Sequence, residues 1–331
     1  MWFETLTGFH EEFPEQVRAN LTLEGHKLKS HVNGRVLVCG ELETPSLAEL
    51  RERVHSRELQ TGRLSVREVV ANVQHLHLDE ANATSLFQVA SQFNLLEMAS
   101  PSETPEQGVG IYEHDRTQGP ACAVAAGAGT IYRNYFARVN EQIGQSATNQ
   151  IDCLADIGAA LGNSESRLWE MKNGYAIASE RGLDEISKRL GASSESELDE
   201  LRGLLRIGIQ WDTQVTLNDS GHLVSQAYCS ALPVAYTPSA PSVWEPFARL
   251  ILEASYEATI CAAILNTSRN GNNRLFLTLL GGGVFGNATN WITGAIQRAL
   301  VLYKQTSLDV ALVSYGSSKE EVRQLVNQMK S

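Results

Sequence analysis

The sequence predicts an α/β protein in which helices cover both faces of a largely parallel sheet. Over residues 206–331, strand-like apolar segments alternate with helical segments, an order typical of a parallel sheet. A glycine-rich turn joins one of these strands to the helix that follows it. Because no linker-like stretch interrupts the 331 residues, we expect a single large domain.

Composition narrows the class of protein. With 43% hydrophobic and 20% charged residues, the chain can bury a large core. Its formal net charge of −11 argues against a nucleic-acid partner, because such a partner requires a surface that neutralises phosphates. No apolar run approaches the ~18 residues of a membrane helix, and no signal peptide is evident. We therefore expect a cytoplasmic protein without a membrane partner.

The cysteines predict reduced thiols rather than disulfides or a zinc site. They are scattered, odd in number and outside any CxxC spacing. They are Cys39, Cys122, Cys153, Cys229 and Cys261.

Residues 1–80 form a predicted N-terminal extension. Strands over residues 21–28 and 35–42 flank the turn signal Asn33-Gly34. Ser46 is typical of a residue that caps a helix beginning at Leu47. A second helix is expected over residues 66–73, and a buried strand over residues 86–93.

The middle of the chain contains a long loop and a predicted helical insertion. Residues 100–120 show no periodicity, and ordered loops of that length are usually functional. Residues 121–136 are rich in small side chains and predict a helix that packs closely on other backbone. Residues 140–205 predict an insertion with helices over 183–190 and 197–205.

The remaining elements follow from residue 206 onward. The predicted strands are 206–211, 222–230, 274–280 and 308–314, and the predicted helices are 243–265, 290–303 and 319–329.

The sharpest local signal is the sequence Gly281-Gly282-Gly283-Val284-Phe285-Gly286-Asn287 between a strand and a helix. Glycines permit positive φ and allow backbone N–H groups to surround an anion at a helix N-terminus. A dinucleotide fingerprint is disfavoured, because the loop lies near the C-terminus and no acid ends the next strand. A tight strand–helix turn is the alternative, and we favour phosphate binding.

A second candidate loop precedes the helix over residues 121–136. Residues 115–123 deliver small side chains to that helix start, so its amides could face another phosphate. Two such loops on neighbouring strands would form a cleft that fits a pyrophosphate.

The segment from Gly281 to Trp291-Ile292 resembles the second phosphate loop of macrodomains. The chain is also similar to a divergent branch of that superfamily, the arginine-specific ADP-ribosyl hydrolases typified by the bacterial effector MavL. The resemblance spans residues 86–331. It implies a three-layer α/β/α fold with a mixed sheet and ADP-ribose in a surface cleft. The shared segments are residues 92–97, 112–123, 210–216 and 226–236.

The resemblance also implies binding residues. Asn94 would stand near the distal ribose, and Tyr315 would stack on adenine. The Asn-Ala-Ala-Asn stretch of ordinary macrodomains is replaced by residues 91–94, Ser-Gln-Phe-Asn. The Glu-Glu pair of poly(ADP-ribose) glycohydrolases is absent after the first loop, which argues against cleavage of the polymer. The two loops would supply Gln118, Gly119, Ala121, Cys122, Gly281, Gly282, Gly283, Val284, Phe285, Gly286 and Asn287.

Three carboxylates are candidate catalytic groups, since breaking a ribose–nitrogen bond requires charge stabilisation and proton transfer. Asp212 follows a predicted strand within a shared segment, although it also fits a turn or helix cap. Asp115 precedes the first loop and Glu106 lies in the long loop; each also fits a solvated charge. A carboxylate pocket would also attract a guanidinium group.

No metal and no cofactor are expected. Residues 75–79, His-Leu-His-Leu-Asp, would place three potential ligands on one strand face. No further ligand cluster accompanies them, which favours a half-exposed strand edge.

The first functional hypothesis is a metal-free hydrolase that releases ADP-ribose from mono-ADP-ribosylated arginine in a protein substrate. The alternatives are an ADP-ribose-binding reader and a hydrolase of free ADP-ribose derivatives. Fold resemblance does not separate the three, because function depends on the site.

Overall fold

The computed structural model describes residues 1–57 and 62–330. The strands are β1 (Leu21–Glu24), β2 (Lys27–Ser30), β3 (Val36–Val38), β4 (Glu41–Glu43), β5 (Ser65–Val70), β6 (Leu86–Ala90), β7 (Arg138–Val139), β8 (Gln142–Ile143), β9 (Trp169–Lys172), β10 (Tyr175–Ala178), β11 (Gly208–Gln214), β12 (Leu223–Cys229), β13 (Arg274–Leu277) and β14 (Asp309–Ser314). The helices are α1 (Trp2–Thr7), α2 (Pro14–Asn20), α3 (Leu47–His55), α4 (Val73–Leu78), α5 (Gln118–Ala125), α6 (Gly127–Tyr135), α7 (Ala155–Leu161), α8 (Glu180–Ala192), α9 (Glu195–Gly203), α10 (Pro241–Asn270), α11 (Thr289–Leu302) and α12 (Glu320–Lys330).

A seven-stranded mixed sheet forms the centre, in the order β4-β11-β12-β6-β13-β14-β5. The strands from β12 to β5 are parallel to one another, whereas β11 runs antiparallel to both of its neighbours. The predicted α/β class with a mixed sheet is therefore confirmed. The carboxyl ends of five parallel strands meet at one edge of this sheet.

Helices cover both faces of the sheet, which makes three layers. Successive side chains of a strand point to opposite faces. On β6, Phe87 stacks on His77 of α4. Gln88 points to the opposite layer, where its Nε2 donates to the hydroxyl of Thr259 of α10. Helices α5 and α6 pack on the first face, and α3, α8, α9 and α11 surround α10 on the second.

The first eighty residues are only partly as predicted. The Asn33-Gly34 turn joins β2 to β3, and Ser46 caps α3 with a complete capping box. The prediction of a helix over residues 66–73 is wrong, because residues 65–70 form β5, the edge strand paired with β14. Three valines in this segment favour a strand, and the free edge of β14 provides its partner.

The predicted strand edge around His77 is also wrong. Residues 73–78 form α4, and the side chain of Asn72 caps it by accepting the N–H of Gln74. His77 is buried in that helix, and its Nδ1 bonds to the carbonyl of Val73.

The region over residues 140–205 contains the two predicted helices as α8 and α9. It also contains an antiparallel hairpin, β9–β10, that the sequence did not predict. The helix predicted over residues 121–136 is divided into α5 and α6, with Ala126 between them at φ −114° and ψ 57°.

From β11 to α12 every predicted element is present within a few residues of its expected bounds. No helix in the described part of the chain is long and apolar enough to cross a membrane. The five cysteines are buried free thiols.

Candidate functional site

A cleft of about 310 Å³ opens at the carboxyl ends of the parallel strands. Its walls are formed by segments that follow β6, β12, β13 and β14, together with the start of α5 and Tyr175 of β10. Ligands of open α/β sheets bind at this position, outside the carboxyl ends of the strands. The volume lies in the range of small-molecule sites.

The glycine loop, residues 278–288, forms one wall. Gly281 and Gly286 have φ of 69° and 74°, and a Cβ on Gly281 would lie 2.5 Å from both Ala231 and Asn287. Only glycine can make this approach without displacing its neighbours. The N–H of Asn287 donates to the carbonyl of Gly281, which closes the loop.

Asn287 supports the glycine loop from beneath. Its Nδ2 donates to the carbonyl of Leu232, and the side chain is buried. The loop's internal bonds use the N–H groups of Gly282, Gly286 and Asn287. Within the described chain, the N–H groups of Gly283 and Val284 have no acceptor, so they remain available to an anion.

The first loop, residues 115–120, forms the facing wall and leads into α5. A Cβ on Gly119 would lie 2.1 Å from the carbonyl oxygen of Ala90, so glycine alone lets α5 begin against the end of β6. The first N–H groups of a helix lack intrahelical acceptors. Thr117, the residue before α5, provides no side-chain cap for them.

Polar side chains of the first loop, among them Gln118 and Asp115, line the cleft. Gln118 accepts the N–H of Val73 through Oε1, whereas its buried Nε2 has no partner among the described residues. Asp115 is half-buried, and its Oδ1 accepts the N–H of Thr117. An unpaired buried donor costs stability unless a ligand or water accepts its hydrogen bond.

Glu97 also lines the cleft, and the sequence did not single it out as a catalytic candidate. The side chain is buried, 2% exposed, and lies beside the buried guanidinium of Arg133. Burial raises the pKa of the Glu97 carboxyl to about 7, although Arg133 opposes the shift. The sequence signal that could have identified Glu97 is a single charge inside the apolar run Leu95-Leu96-Glu97-Met98. Such a run is typical of buried residues, and a buried glutamate requires a partner or a ligand.

An aromatic cluster closes one side of the cleft. Tyr175 of β10 lies 5.3 Å, centroid to centroid, from both Tyr236 and Phe285. The Tyr175 hydroxyl donates to the carbonyl of Met98. The β9–β10 hairpin therefore contacts the glycine loop and the segment that carries Glu97.

The structure brings together most of the predicted binding residues. Tyr315 is 56% exposed and lines the cleft, as does Lys319, a cation that the sequence analysis did not select. The predicted residues that line the cleft are Asp115, Gln118, Gly119, Gly281, Gly282, Gly283, Val284, Phe285 and Tyr315.

The other predicted binding residues lie behind the cleft surface. Asn94 is fully buried, and its Nδ2 donates to Gln150, so its amide is engaged by the 140–205 region. Ala121 and Cys122 are buried in α5. Gly286 and Asn287 support the glycine loop without lining the cleft.

Asp212 and Glu106, which the sequence predicts as catalytic groups, do not line the cleft. Asp212 occupies a bulge of β11 and forms an ion pair of 3.0 Å with Arg269. Because β11 runs antiparallel, this position lies at the amino end of β6 and β12. Glu106 accepts the N–H of Ala147 through Oε1 and is held by the 140–205 region.

No group of three or more potential metal ligands occurs among residues 1–57 and 62–330.

No protein-family model matches the sequence, and no curated protein sequence matches it significantly. Solved structures of poly(ADP-ribose) glycohydrolase are similar to the chain. The enzyme from Deinococcus radiodurans in complex with ADP-ribose is 11% identical, with a TM-score of 0.46 over 87% of this chain and 94% of that one. The enzyme from Thermomonospora curvata is 12% identical, with a TM-score of 0.45 over 95% of both chains. At these values the likeness decides neither the chemistry of the cleft nor its substrate.

Proposed function

We propose that the protein binds ADP-ribose in this cleft and hydrolyses the bond between its ribose and a modified protein side chain, with arginine as the preferred linkage. One observation carries the proposal: two loops with available N–H donors lie on opposite walls of a cleft that is also lined by two acidic residues. The sequence resemblance to arginine-specific ADP-ribosyl hydrolases falls on the same two loops.

The donors suit a pyrophosphate. Backbone N–H groups of a glycine-rich loop and of a helix start bind phosphate without a basic patch. The N–H groups of Gly283 and Val284 lie on one wall, and the first turn of α5 lies on the other. The unpaired Nε2 of Gln118 adds a side-chain donor. Tyr315, exposed at the cleft, offers a flat apolar surface to adenine.

The charges favour arginine as the modified side chain. Glu97 and Asp115 line the cleft, and Lys319 is the one cation among the described lining residues. Carboxylates pair with a guanidinium group through charge-assisted hydrogen bonds. They also stabilise positive charge that develops at the anomeric carbon. The cleft therefore suits a cationic arginine aglycone better than the neutral serine ether or glutamate ester.

Release of ADP-ribose from arginine-, serine- and glutamate-modified proteins tests this function. We expect release from the arginine linkage at least tenfold faster than from the others. Removal of divalent cations by a chelator should leave the rate unchanged. Binding of ADP-ribose without release from any linkage would instead identify a reader, and the absence of binding at millimolar ligand would refute the assignment of the cleft.

A further inference from the structure

Glu97 lies where the segment after β6 meets the start of α5. Its Cγ is 3.7 Å from the position that a Cβ on Gly119 would occupy. Its own N–H donates to the hydroxyl of Tyr112, which fixes the backbone at this point. Glu97 is thus held beside the first loop and is one of the residues that line the cleft.

Arg133 of α6 is held independently of Glu97. Its Nε donates to the carbonyl of Leu95 at 2.9 Å, and its Nη1 donates to the hydroxyl of Tyr228. The guanidinium carbon also lies 3.7 Å above the ring of Tyr228. Arg133 is fully buried, so these contacts fix the guanidinium plane.

The contact between Arg133 and Glu97 is long by comparison. Nη2 of Arg133 lies 3.4 and 3.5 Å from the two carboxyl oxygens. No other side-chain hydrogen bond reaches the Glu97 carboxyl within the described chain. One fixed cation orients the carboxyl group and leaves it with unused acceptor capacity.

Glu97 differs in this respect from Asp115. An N–H donor of its own loop engages the Asp115 carboxyl at 2.8 Å. The environment of Glu97 instead raises its pKa to about 7, so both protonation states are accessible near neutral pH. The titratable and charged groups that face it are Arg133 from α6, Tyr112 from the segment before α5, Cys122 from α5 and Tyr228 from β12.

We propose that Glu97 is the catalytic proton-transfer residue of this cleft and that Arg133 is its positioning residue. This inference rests on the proposed hydrolase function. The Glu97 carboxylate takes a proton from water as the water oxygen bonds to the anomeric carbon. The carbon–nitrogen bond breaks and its electron pair passes to the guanidine nitrogen. Glu97 then returns the proton to the released guanidine, so one water is consumed and the carboxylate is regenerated.

The test compares wild type with Glu97→Gln in two measurements, ADP-ribose affinity by calorimetry and single-turnover release from an arginine-modified protein. We expect an affinity within about threefold of wild type and a release rate lower by roughly 10²- to 10⁴-fold. Asp212→Asn is the matched control, which removes a partly exposed carboxyl group outside the cleft and should leave release within twofold of wild type.

Glu97→Asp keeps the charge beside Arg133 and withdraws the carboxyl by one methylene. It tests the same role if the glutamine variant does not fold, and we expect release to fall at least 30-fold with unchanged affinity. A release rate within fivefold of the wild-type rate for either Glu97 variant would overturn the inference and leave the proposed function intact. Absence of ADP-ribose binding by wild type would overturn both.

The positioning role of Arg133 has its own readout. Wild-type release should increase with pH through about 7, because the carboxylate is the active form. Arg133→Lys removes the planar fork that faces the carboxyl. The midpoint of the profile should then move to higher pH, since the carboxylate loses stabilisation. An unchanged midpoint with a lower rate at every pH would show a merely structural role.

Discussion

Glu97 and Asp212 are carboxyl groups at opposite edges of the same sheet, and their surroundings differ. Asp212 is partly exposed and paired with Arg269 at 3.0 Å. Glu97 is buried, is one of the residues that line the cleft, and lies at least 3.4 Å from its cation. A satisfied surface pair contributes little to stability or chemistry. A buried carboxyl with spare acceptor capacity has an altered pKa and can exchange protons with a ligand.

The edges differ because of chain direction. Five parallel strands end at the cleft edge, so the loops that follow them converge there. Strand β11 runs the other way and carries Asp212 to the amino end of β6 and β12. Following a strand in sequence therefore does not by itself place a residue at the ligand-binding edge.

The largest expected effect on the fold comes from the close approach at the cleft edge. Gly119→Ala would place a methyl group 2.1 Å from the carbonyl oxygen of Ala90 and displace α5 from β6. We expect a loss of about 1–3 kcal/mol or more in the free energy of unfolding, measured by urea denaturation.

Gly271→Ala is the matched control at the other edge of the sheet. Gly271 has φ of 80° with nothing within 4 Å of an added Cβ, so only backbone strain opposes the substitution. A loss of about 1 kcal/mol is expected. Equal losses for the two variants would contradict the close approach at Gly119.

A smaller effect, on affinity alone, is expected for Tyr315→Ala. Stacking of a base on an aromatic side chain contributes about 1–3 kcal/mol, which corresponds to roughly 5- to 150-fold weaker ADP-ribose binding. Because the side chain is exposed, the stability should change by less than about 0.5 kcal/mol. Calorimetry of the variant with ADP-ribose and with ribose 5-phosphate shows whether Tyr315 contacts adenine. An equal loss of affinity for both ligands would rule out that contact. The control variant Tyr315→Phe keeps the ring and should bind ADP-ribose normally.

The smallest effect is expected for Asp212→Asn. Asparagine tolerates the φ of 53° at this position, and a surface ion pair contributes about 0–1 kcal/mol. ADP-ribose release should remain within twofold of wild type in the single-turnover assay. A tenfold lower release rate with retained affinity would identify Asp212 as a catalytic residue and contradict the difference drawn between the two edges.

The sequence by itself determined the class of fold and the two loops. Strand–helix alternation from residue 206 onward reflects side-chain periodicity, which is local and visible in one chain. The glycine loop was identifiable because its conformation and its close approach to Ala231 demand glycine. Ser46 and its capping box were predictable for the same reason, since all their bonds are made within one turn.

Only the tertiary structure decided the chemistry of the cleft. Glu97 acquired its environment from Arg133, 36 residues away, and from Tyr228, more than a hundred residues away. Tyr175 reached the glycine loop through a hairpin in a region predicted to be helical. Strand β5 formed because β14 offered a free edge. Burial, strand pairing and charge proximity depend on which distant segments meet, and no local pattern of residues encodes that meeting.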